Sequence, residues 1–277
     1  MNDGRLVSGS IDKSIIIYNK ITYQPDLIIK EHNAQINYIT TLSSGILASC
    51  SDDETIKLFN IKDNKYEIKQ TLNYHTFWVN KIIELKNKSL VSCSSDKSII
   101  FYNKDNNNNY IKDYKLNING SCHSVIETKD NEICYCEYDY SNYTIYFYDI
   151  LHKQIISKLN NINIIGYINK GFIMISKELL LIPGINKISF INIKKYELIR
   201  IIDVSNSKEI VGTCIINENI LFTGNKNGII RQWKIEGDNL NLISIKENAH
   251  NNFIYFIINI GDGHIASGSF DNLIKIW

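Results

Sequence analysis

The chain has 277 residues, of which 44% are hydrophobic and 21% charged, so it can bury a sizeable core and is not disordered overall. Its 30 Lys and Arg nearly balance 29 Asp and Glu, and a net charge of +1 gives no basic excess to neutralise a run of phosphates, which disfavours nucleic acid as a partner. The N-terminal residues lack the layout of a secretory signal, and no apolar run approaches the ~18 residues that span a bilayer. We therefore expect an intracellular protein, cytoplasmic or nuclear, with reduced cysteines.

A repeated segment runs along the chain from its first residues to its last. The segment has the form Ser-x-x-x-Asp, with an aromatic residue six positions after the Asp, and four copies align without a gap, over residues 8–18, 49–59, 92–102 and 267–277. Three weaker copies lie between them. The aromatic position therefore falls near residues 18, 59, 102, 148, 191, 233 and 277, at intervals of 41 to 46 residues. A period in this range is typical of repeat architectures.

The segments within each repeat have the composition of strands and turns. Short runs of Ile, Leu, Val, Tyr and Phe are separated by Asn, Asp, Ser and Gly, and no long helical periodicity is found. With few Gly and Pro in the chain, Asn and Asp must supply many of the turns. The sequence predicts an all-β fold of seven repeats, in a single domain that covers residues 1–277.

A histidine precedes three of the repeated aspartates at a constant distance of 21 residues. This pattern resembles the WD40 family, in which such a His, a Ser, the Asp and a Trp form a hydrogen-bonded set inside one blade of a β-propeller. The resemblance implies a seven-bladed WD40-type β-propeller that serves as a protein-interaction scaffold. It also implies the sets His32, Ser49, Asp53, Phe59; His75, Ser92, Asp96, Tyr102; and His250, Ser267, Asp271, Trp277.

The fourth member differs among these sets, and only the last contains the Trp. Phe59 cannot donate the indole N–H hydrogen bond, and Tyr102 offers a hydroxyl in another place, so we expect the second and third blades to keep only the His, Ser and Asp. In the weaker copy that ends at Trp233, Asn227 and Thr223 replace the Asp and Ser. In the copy that ends at Ile191, Ile185 occupies the Asp position.

The His and Asp residues also have the types of an acid–base pair. Because they recur from blade to blade, whereas an active site occurs once, we expect buried hydrogen-bonded structure and no catalysis or cofactor. The usual nucleophile-elbow, P-loop and zinc-protease motifs are absent from the sequence.

The two ends carry incomplete repeats. In WD40 proteins a repeat runs through strands d, a, b and c, and its d strand completes the preceding blade. Here the chain opens at a b strand and stops after a c strand, so we expect the first and last blades to be incomplete, with about 26 of 28 strands present. The missing head of one repeat is about 20 residues, which we expect to precede Met1.

Partner contacts in WD40 proteins commonly involve three positions of each blade at its top face. These are three and five residues after the His, and directly before the Asp. The resemblance therefore implies that partners are bound by Ile11, Gln35, Asn37, Asp52, Trp78, Asn80, Ser95, Phe253, Tyr255 and Phe270. Trp78, Phe253, Tyr255 and Phe270 have the composition of an interface hot spot, and we expect them to be partly exposed on one face.

Two other functions stay open. Cys122, His123, Cys134 and Cys136 have metal-ligand types, so a zinc site or an enzymatic propeller is one alternative, although these cysteines also suit small apolar positions in strands. An RNA-associated scaffold in ribosome assembly is the other, but it would need a basic face. We favour the non-enzymatic protein scaffold and expect no metal.

Overall fold

The structure is a computed structural model, and it describes residues 1–139, 142–160, 172–184, 186–204, 210–217 and 219–277. In this part of the chain 26 strands and no helix are found. The strands are β1 (Val7–Gly9), β2 (Ile15–Tyr18), β3 (Pro25–Ile29), β4 (Ile36–Thr41), β5 (Leu47–Ser51), β6 (Ile56–Lys62), β7 (Lys65–Leu72), β8 (Val79–Glu84), β9 (Leu90–Ser94), β10 (Ser98–Lys104), β11 (Tyr110–Asn117), β12 (Ser121–Lys129), β13 (Glu132–Tyr138), β14 (Tyr143–Asp149), β15 (Gln154–Leu159), β16 (Ile173–Met174), β17 (Leu179–Pro183), β18 (Lys187–Asn192), β19 (Glu197–Asp203), β20 (Ile210–Asn217), β21 (Ile220–Asn225), β22 (Ile230–Glu236), β23 (Asn239–Lys246), β24 (Ile254–Gly261), β25 (His264–Ser269) and β26 (Ile274–Ile276).

Each sheet is built from strands that follow one another in the chain. Blade one is β1–β2–β3, blade two is β4–β5–β6–β7, and blade three is β8–β9–β10–β11. Blades four, five and six are the next three groups of four, and blade seven is β24–β25–β26. The protein is thus an all-β, seven-bladed propeller whose first and last blades have three strands each, which confirms the predicted fold class. We label the strands of a full blade a to d in chain order, so that blade one has b, c and d, and blade seven has a, b and c.

The described chain divides into two compact units. The first contains Met1–Val125 and Glu137–Asp139, and the second contains Ile126–Cys136 and Tyr140–Trp277. Blades one to three lie in the first unit, and blades five to seven lie in the second. That residues 1–277 form a single domain stays a prediction.

A register shift marks the repeated aromatic position in blades one to six. The pairing between strands c and d shifts immediately before Tyr18, Phe59, Tyr102, Tyr148, Ile191 and Trp233. A bulge of this kind bends the strand and redirects a side chain. In blades two to six the side chain at this position is buried. Blade five therefore keeps the backbone feature although Ile191 replaces the aromatic residue.

The turn between strands b and c uses the repeated Asp. The residue after it has a left-handed backbone in four blades, with φ of 73° at Lys13, 70° at Glu54, 63° at Lys97 and 65° at Asn272. In blades one, two and seven the Asp carboxylate accepts a hydrogen bond from the backbone N–H two residues further on. This Asx turn holds a conformation that Lys and Glu seldom adopt.

Small residues on strand b allow neighbouring blades to approach. The side chain of Ile36 on β4 occupies the space that a Cβ at Gly9 would need, and Ile254 on β24 does the same at Gly224. Blades two and three have Cys50 and Cys93 at the equivalent position, and both thiols are buried. The a strand of one blade therefore packs on the b strand of the blade before it.

Candidate partner-binding surface

The structure brings the His, Ser and Asp of each predicted set together. In blade two, His32 Nδ1 lies 2.8 Å from Asp53 Oδ2, and His32 Nε2 lies 2.6 Å from Ser49 Oγ. Because a carboxylate only accepts, Nδ1–H donates to Asp53, and Nε2 of the neutral ring accepts from the Ser49 hydroxyl. The backbone N–H of Asn33 also donates to Asp53, at 2.9 Å.

The same geometry occurs in blades three and seven. His75 lies 2.9 Å from Asp96 and 2.7 Å from Ser92. His250 lies 2.9 Å from Asp271 and 2.8 Å from Ser267. All three histidines are buried. Their polar atoms are therefore used inside the blades.

The fourth member of the set agrees with the sequence expectation in two blades and differs in the third. Trp277 Nε1 donates to Ser267 Oγ at 2.8 Å, and Phe59 is buried without a polar group to offer. The expectation for blade three was wrong, because the Tyr102 hydroxyl lies 2.9 Å from Ser92 Oγ and extends the chain of hydrogen bonds. Ser92 pairs with Ile100, two residues before Tyr102, so the phenol lies diagonally across the two strands and its para hydroxyl reaches the Ser.

The three predicted partner-contact positions of a blade lie next to one another. In blades two, three and seven, the residue directly before the Asp donates a backbone hydrogen bond to the residue three positions after the His. The N–H and the carbonyl oxygen are joined at 3.0 Å in each blade. These pairs are Asp52 with Gln35, Ser95 with Trp78, and Phe270 with Phe253. We call these neighbouring positions the rim of a blade. In blade one, Ile11 at the corresponding position is exposed.

Several of the predicted contact residues form hydrogen bonds within the protein. Asn37 Nδ2 donates to Asp52 Oδ1 at 2.6 Å and to the Val79 carbonyl of blade three at 3.0 Å. Asn80 repeats this pattern, donating to Ser95 Oγ at 2.9 Å and to the Cys122 carbonyl at 2.8 Å. The Gln35 amide in turn donates to Asn37. These two asparagine amides therefore join a blade to the strand that follows it.

Aromatic side chains dominate the rims of blades three and seven. Trp78 is 47% exposed and stacks on Phe77, which is 43% exposed, with ring centroids 4.8 Å apart. In blade seven, Phe253 and Tyr255 both contact the ring of the exposed Phe270 edge-on, at 5.9 and 5.4 Å. Phe77 and Trp78 belong to the first compact unit, and Phe253, Tyr255 and Phe270 belong to the second.

Comparison with known families adds to this geometry. A model of the WD40 family (WD domain, G-beta repeat) matches residues 24–60 and 243–277, which contain the complete sets of blades two and seven. No curated protein matches the chain. The set of blade three lies outside the matched residues but has the same hydrogen bonds. The two matched segments and the seven-bladed fold together support a WD40-repeat propeller family. It has no helix, in its described residues, that is long and apolar enough to cross a membrane.

Two hydroxyl groups of the WD40 network were not predicted. Thr55 and Ser98 lie two residues after the repeated Asp, and their hydroxyls donate to Asp53 and Asp96. The recurrence of Ser or Thr at this position in blades one to three is visible in the sequence. In blade six, Trp233 Nε1 donates to Thr223 Oγ1 at 2.9 Å, so Thr223 replaces the Ser as an acceptor. Ile185 lies outside the described residues.

Two residues of the WD40 rims were also missed. Phe77 directly precedes Trp78, and its exposed ring adds a second aromatic side chain beside this rim. Lys226 takes the rim position of blade six, directly before Asn227, and its Nζ lies 5.3 Å from the ring centroid of Phe253. The sequence predicts contact positions only for blades that contain the repeated Asp, and blade six has Asn227 instead.

The candidate zinc residues do not assemble into a metal site. Within the described residues, no group of three or more His, Cys, Asp or Glu side chains is placed to hold a metal ion. Cys122, Cys134 and Cys136 are buried in β12 and β13, and His123 contacts Tyr138 edge-on at 6.0 Å. These buried thiols occupy small apolar positions in the strands.

Replacing Tyr102 with Phe should measure the added hydrogen bond. The ring would still fill the core of blade three, while Ser92 would lose one partner. We expect the free energy of unfolding to fall by about 0.5–1.5 kcal/mol, measured by urea denaturation. Tyr18→Phe, which removes the corresponding contact with Ser8 in blade one, is the matched substitution for comparison. An unchanged stability for Tyr102→Phe would show that the hydroxyl adds nothing to the set.

The buried carboxylates predict how stability depends on pH. Burial raises the pKa of Asp96, but hydrogen bonds from His75, Ser98 and the Thr76 N–H outweigh it and hold the pKa well below its usual range. A depressed folded-state pKa contributes stability that is present above the unfolded value, about 3.9, and is lost as the pH falls. We expect the free energy of unfolding to decrease below about pH 4.

The variant Asp96→Asn should make this acid-dependent decrease smaller. Burial and the charge of Asp53 raise the pKa of Asp52, although a hydrogen bond from Asn37 opposes them. Asp52→Asn should therefore make the acid-dependent decrease in the free energy of unfolding larger. Urea denaturation at pH 3 to 6 measures both slopes, and equal slopes in Asp96→Asn and the wild type would contradict the assignment.

Proposed function

We propose that this WD40 protein is a non-catalytic interaction scaffold that binds partner proteins or peptides through the rims at the top face of the propeller. One observation carries the proposal. The three repeated histidines are buried in hydrogen bonds inside the blades, whereas large aromatic side chains are exposed at the adjacent rims. The polar residues thus stabilise the blades, and the aromatic residues are offered to a partner.

The aromatic rims have the properties of interface anchors. Trp and Tyr are enriched among residues that dominate binding energy, and an exposed ring gains most when a partner covers it. Scattered exposed apolar residues are ordinary, but here Phe77 lies against Trp78, and Phe253 and Tyr255 lie against Phe270. Tyr255 lies at the start of β24, and the other rings sit on short loops between paired strands, which is an arrangement that limits the entropy lost on binding.

The proposal treats the protein as non-enzymatic and intracellular, cytoplasmic or nuclear. A buried His–Asp pair that recurs in three blades suits structure better than chemistry, because a reacting group must reach its substrate. The near-zero net charge supports a protein partner over nucleic acid. The six cysteines are all buried, which fits a protein that keeps reduced thiols.

A phage-displayed library of random heptapeptides tests the proposal. Peptides selected on the wild-type protein should bind about tenfold more weakly to Trp78→Ala or to Phe253→Ala, because each substitution removes an anchor. Ile28→Ala and Leu242→Ala are the controls, since both remove exposed apolar side chains from outer strands. Isothermal titration calorimetry would give the affinities. Selected peptides that bind all four variants as well as the wild type would contradict binding at the rims.

A further inference from the structure

Asp52 is held in a half-buried position at the junction of blades two and three. Its Oδ1 accepts a hydrogen bond from Asn37 Nδ2 at 2.6 Å, and its backbone N–H donates to the Gln35 carbonyl at 3.0 Å. The first contact holds the carboxylate and the second holds its backbone. The rim of blade two therefore presents a carboxylate in a defined orientation.

The negative charge of Asp52 is not balanced from within the described chain. None of the described Lys, Arg or His side chains lies within ion-pair distance of it, whereas the neighbouring Asp53 is paired with His32. Burial and the nearby charge of Asp53 raise the pKa of Asp52, against the hydrogen bond from Asn37. A carboxylate that is partly desolvated and close to a second negative charge is stabilised by an added cation.

The backbone next to an exposed indole lies close to this carboxylate. Asn37 Nδ2 bonds both Asp52 Oδ1 and the carbonyl of Val79, and Val79 directly follows Trp78. One hydrogen-bonded amide thus links the carboxylate to the backbone that carries the ring. Trp78 stacks on Phe77 and keeps 47% of its surface exposed. A carboxylate beside an aromatic surface is the combination that binds an organic cation, through an ion pair and a cation–π contact.

We infer that Asp52 and Trp78 together receive one basic side chain, Lys or Arg, of the partner. This inference rests on the proposed function and gives the chemistry of the peptide that the rim binds. The carboxylate pairs with the ammonium or guanidinium group, and the apolar stem of the side chain packs on the indole ring. An acidic partner is disfavoured at this place, because its charge would meet both Asp52 and Asp53.

The library selection described above tests the inference on the peptide side. Heptapeptides that lose binding in Trp78→Ala should be enriched in Lys or Arg. In synthetic copies, replacing the Arg with citrulline, or the Lys with norleucine, should weaken binding to the wild-type protein by roughly tenfold. This measurement leaves the protein unchanged and does not depend on how a variant folds.

A matched pair of variants tests it on the protein side. Asp52→Asn removes the charge and keeps an oxygen for Asn37, so we expect roughly tenfold weaker binding. Glu54→Gln removes one exposed negative charge from the same turn, and binding should stay close to wild type. Peptides that depend on Trp78 but lack basic residues, or bind Asp52→Asn as well as wild type, would overturn the inference and leave the proposed function intact. Peptides that depend on neither Trp78 nor Phe253 would overturn both.

Discussion

Replacing Gly228 with Ala is expected to lower the free energy of unfolding by about 3 kcal/mol or more. Gly228 has φ of 73°, and a Cβ at this position would overlap the backbone carbonyl oxygen of His250. The same glycine accepts the backbone N–H of His250 at 2.9 Å, so it joins the turn of blade six to the loop that begins the blade-seven set. Because the obstruction is backbone, it cannot move away cheaply.

Gly45→Ala is the matched control for this substitution. Gly45 also has a left-handed backbone, with φ of 86°, but its Cβ would meet no atom within 4 Å. Gly45→Ala should lower the free energy of unfolding only by the cost of a left-handed backbone at a residue with a Cβ, about 1–2 kcal/mol. Urea denaturation of both variants separates the two contributions. Equal losses would show that the close approach of Gly228 to His250 does not contribute to stability.

Replacing His75 with Ala is expected to lower the free energy of unfolding by about 1–3 kcal/mol. The substitution leaves the buried carboxylate of Asp96 without its imidazole partner and removes the acceptor of the Ser92 hydroxyl. The cost comes mainly from burying these groups with fewer hydrogen bonds.

His152→Ala is the control for the loss of a His–Asp contact. His152 also bonds an aspartate, Asp149, at 2.8 Å, but it lies on the surface. Its replacement should leave the urea midpoint close to that of the wild type. A His75→Ala variant of unchanged stability that had lost peptide binding would overturn the structural role of the repeated histidines.

The repeat could be predicted from the sequence because its polar residues are fixed by hydrogen-bonding geometry. The His must reach both the Ser and the Asp, so its spacing to Asp53, Asp96 and Asp271 is constant. The aromatic position persists even at Ile191, since a bulge in the backbone directs this residue inward. Both features depend on short-range strand pairing, which leaves a regular pattern in the chain.

Other features could not be predicted because they depend on distances between strands. Residue types alone do not reveal that the Tyr102 hydroxyl reaches Ser92 diagonally across two strands. Likewise, Asn37 and Asn80 have the chemistry of exposed contact residues. Only the packing of the next blade shows that their side-chain amides donate hydrogen bonds to backbone carbonyls. Lys226 was missed because the repeat around it is degenerate.

A comparison of Trp78→Ala with Tyr102→Phe tests the central claim most directly. The claim is that the repeated polar sets stabilise the blades and that the exposed aromatic rims bind the partner. For each variant we would measure the affinity for a selected heptapeptide and the free energy of unfolding. Trp78→Ala should lose about tenfold in affinity with little change in stability, whereas Tyr102→Phe should lose stability and keep its affinity. The opposite result, with binding lost in Tyr102→Phe and retained in Trp78→Ala, would contradict the account.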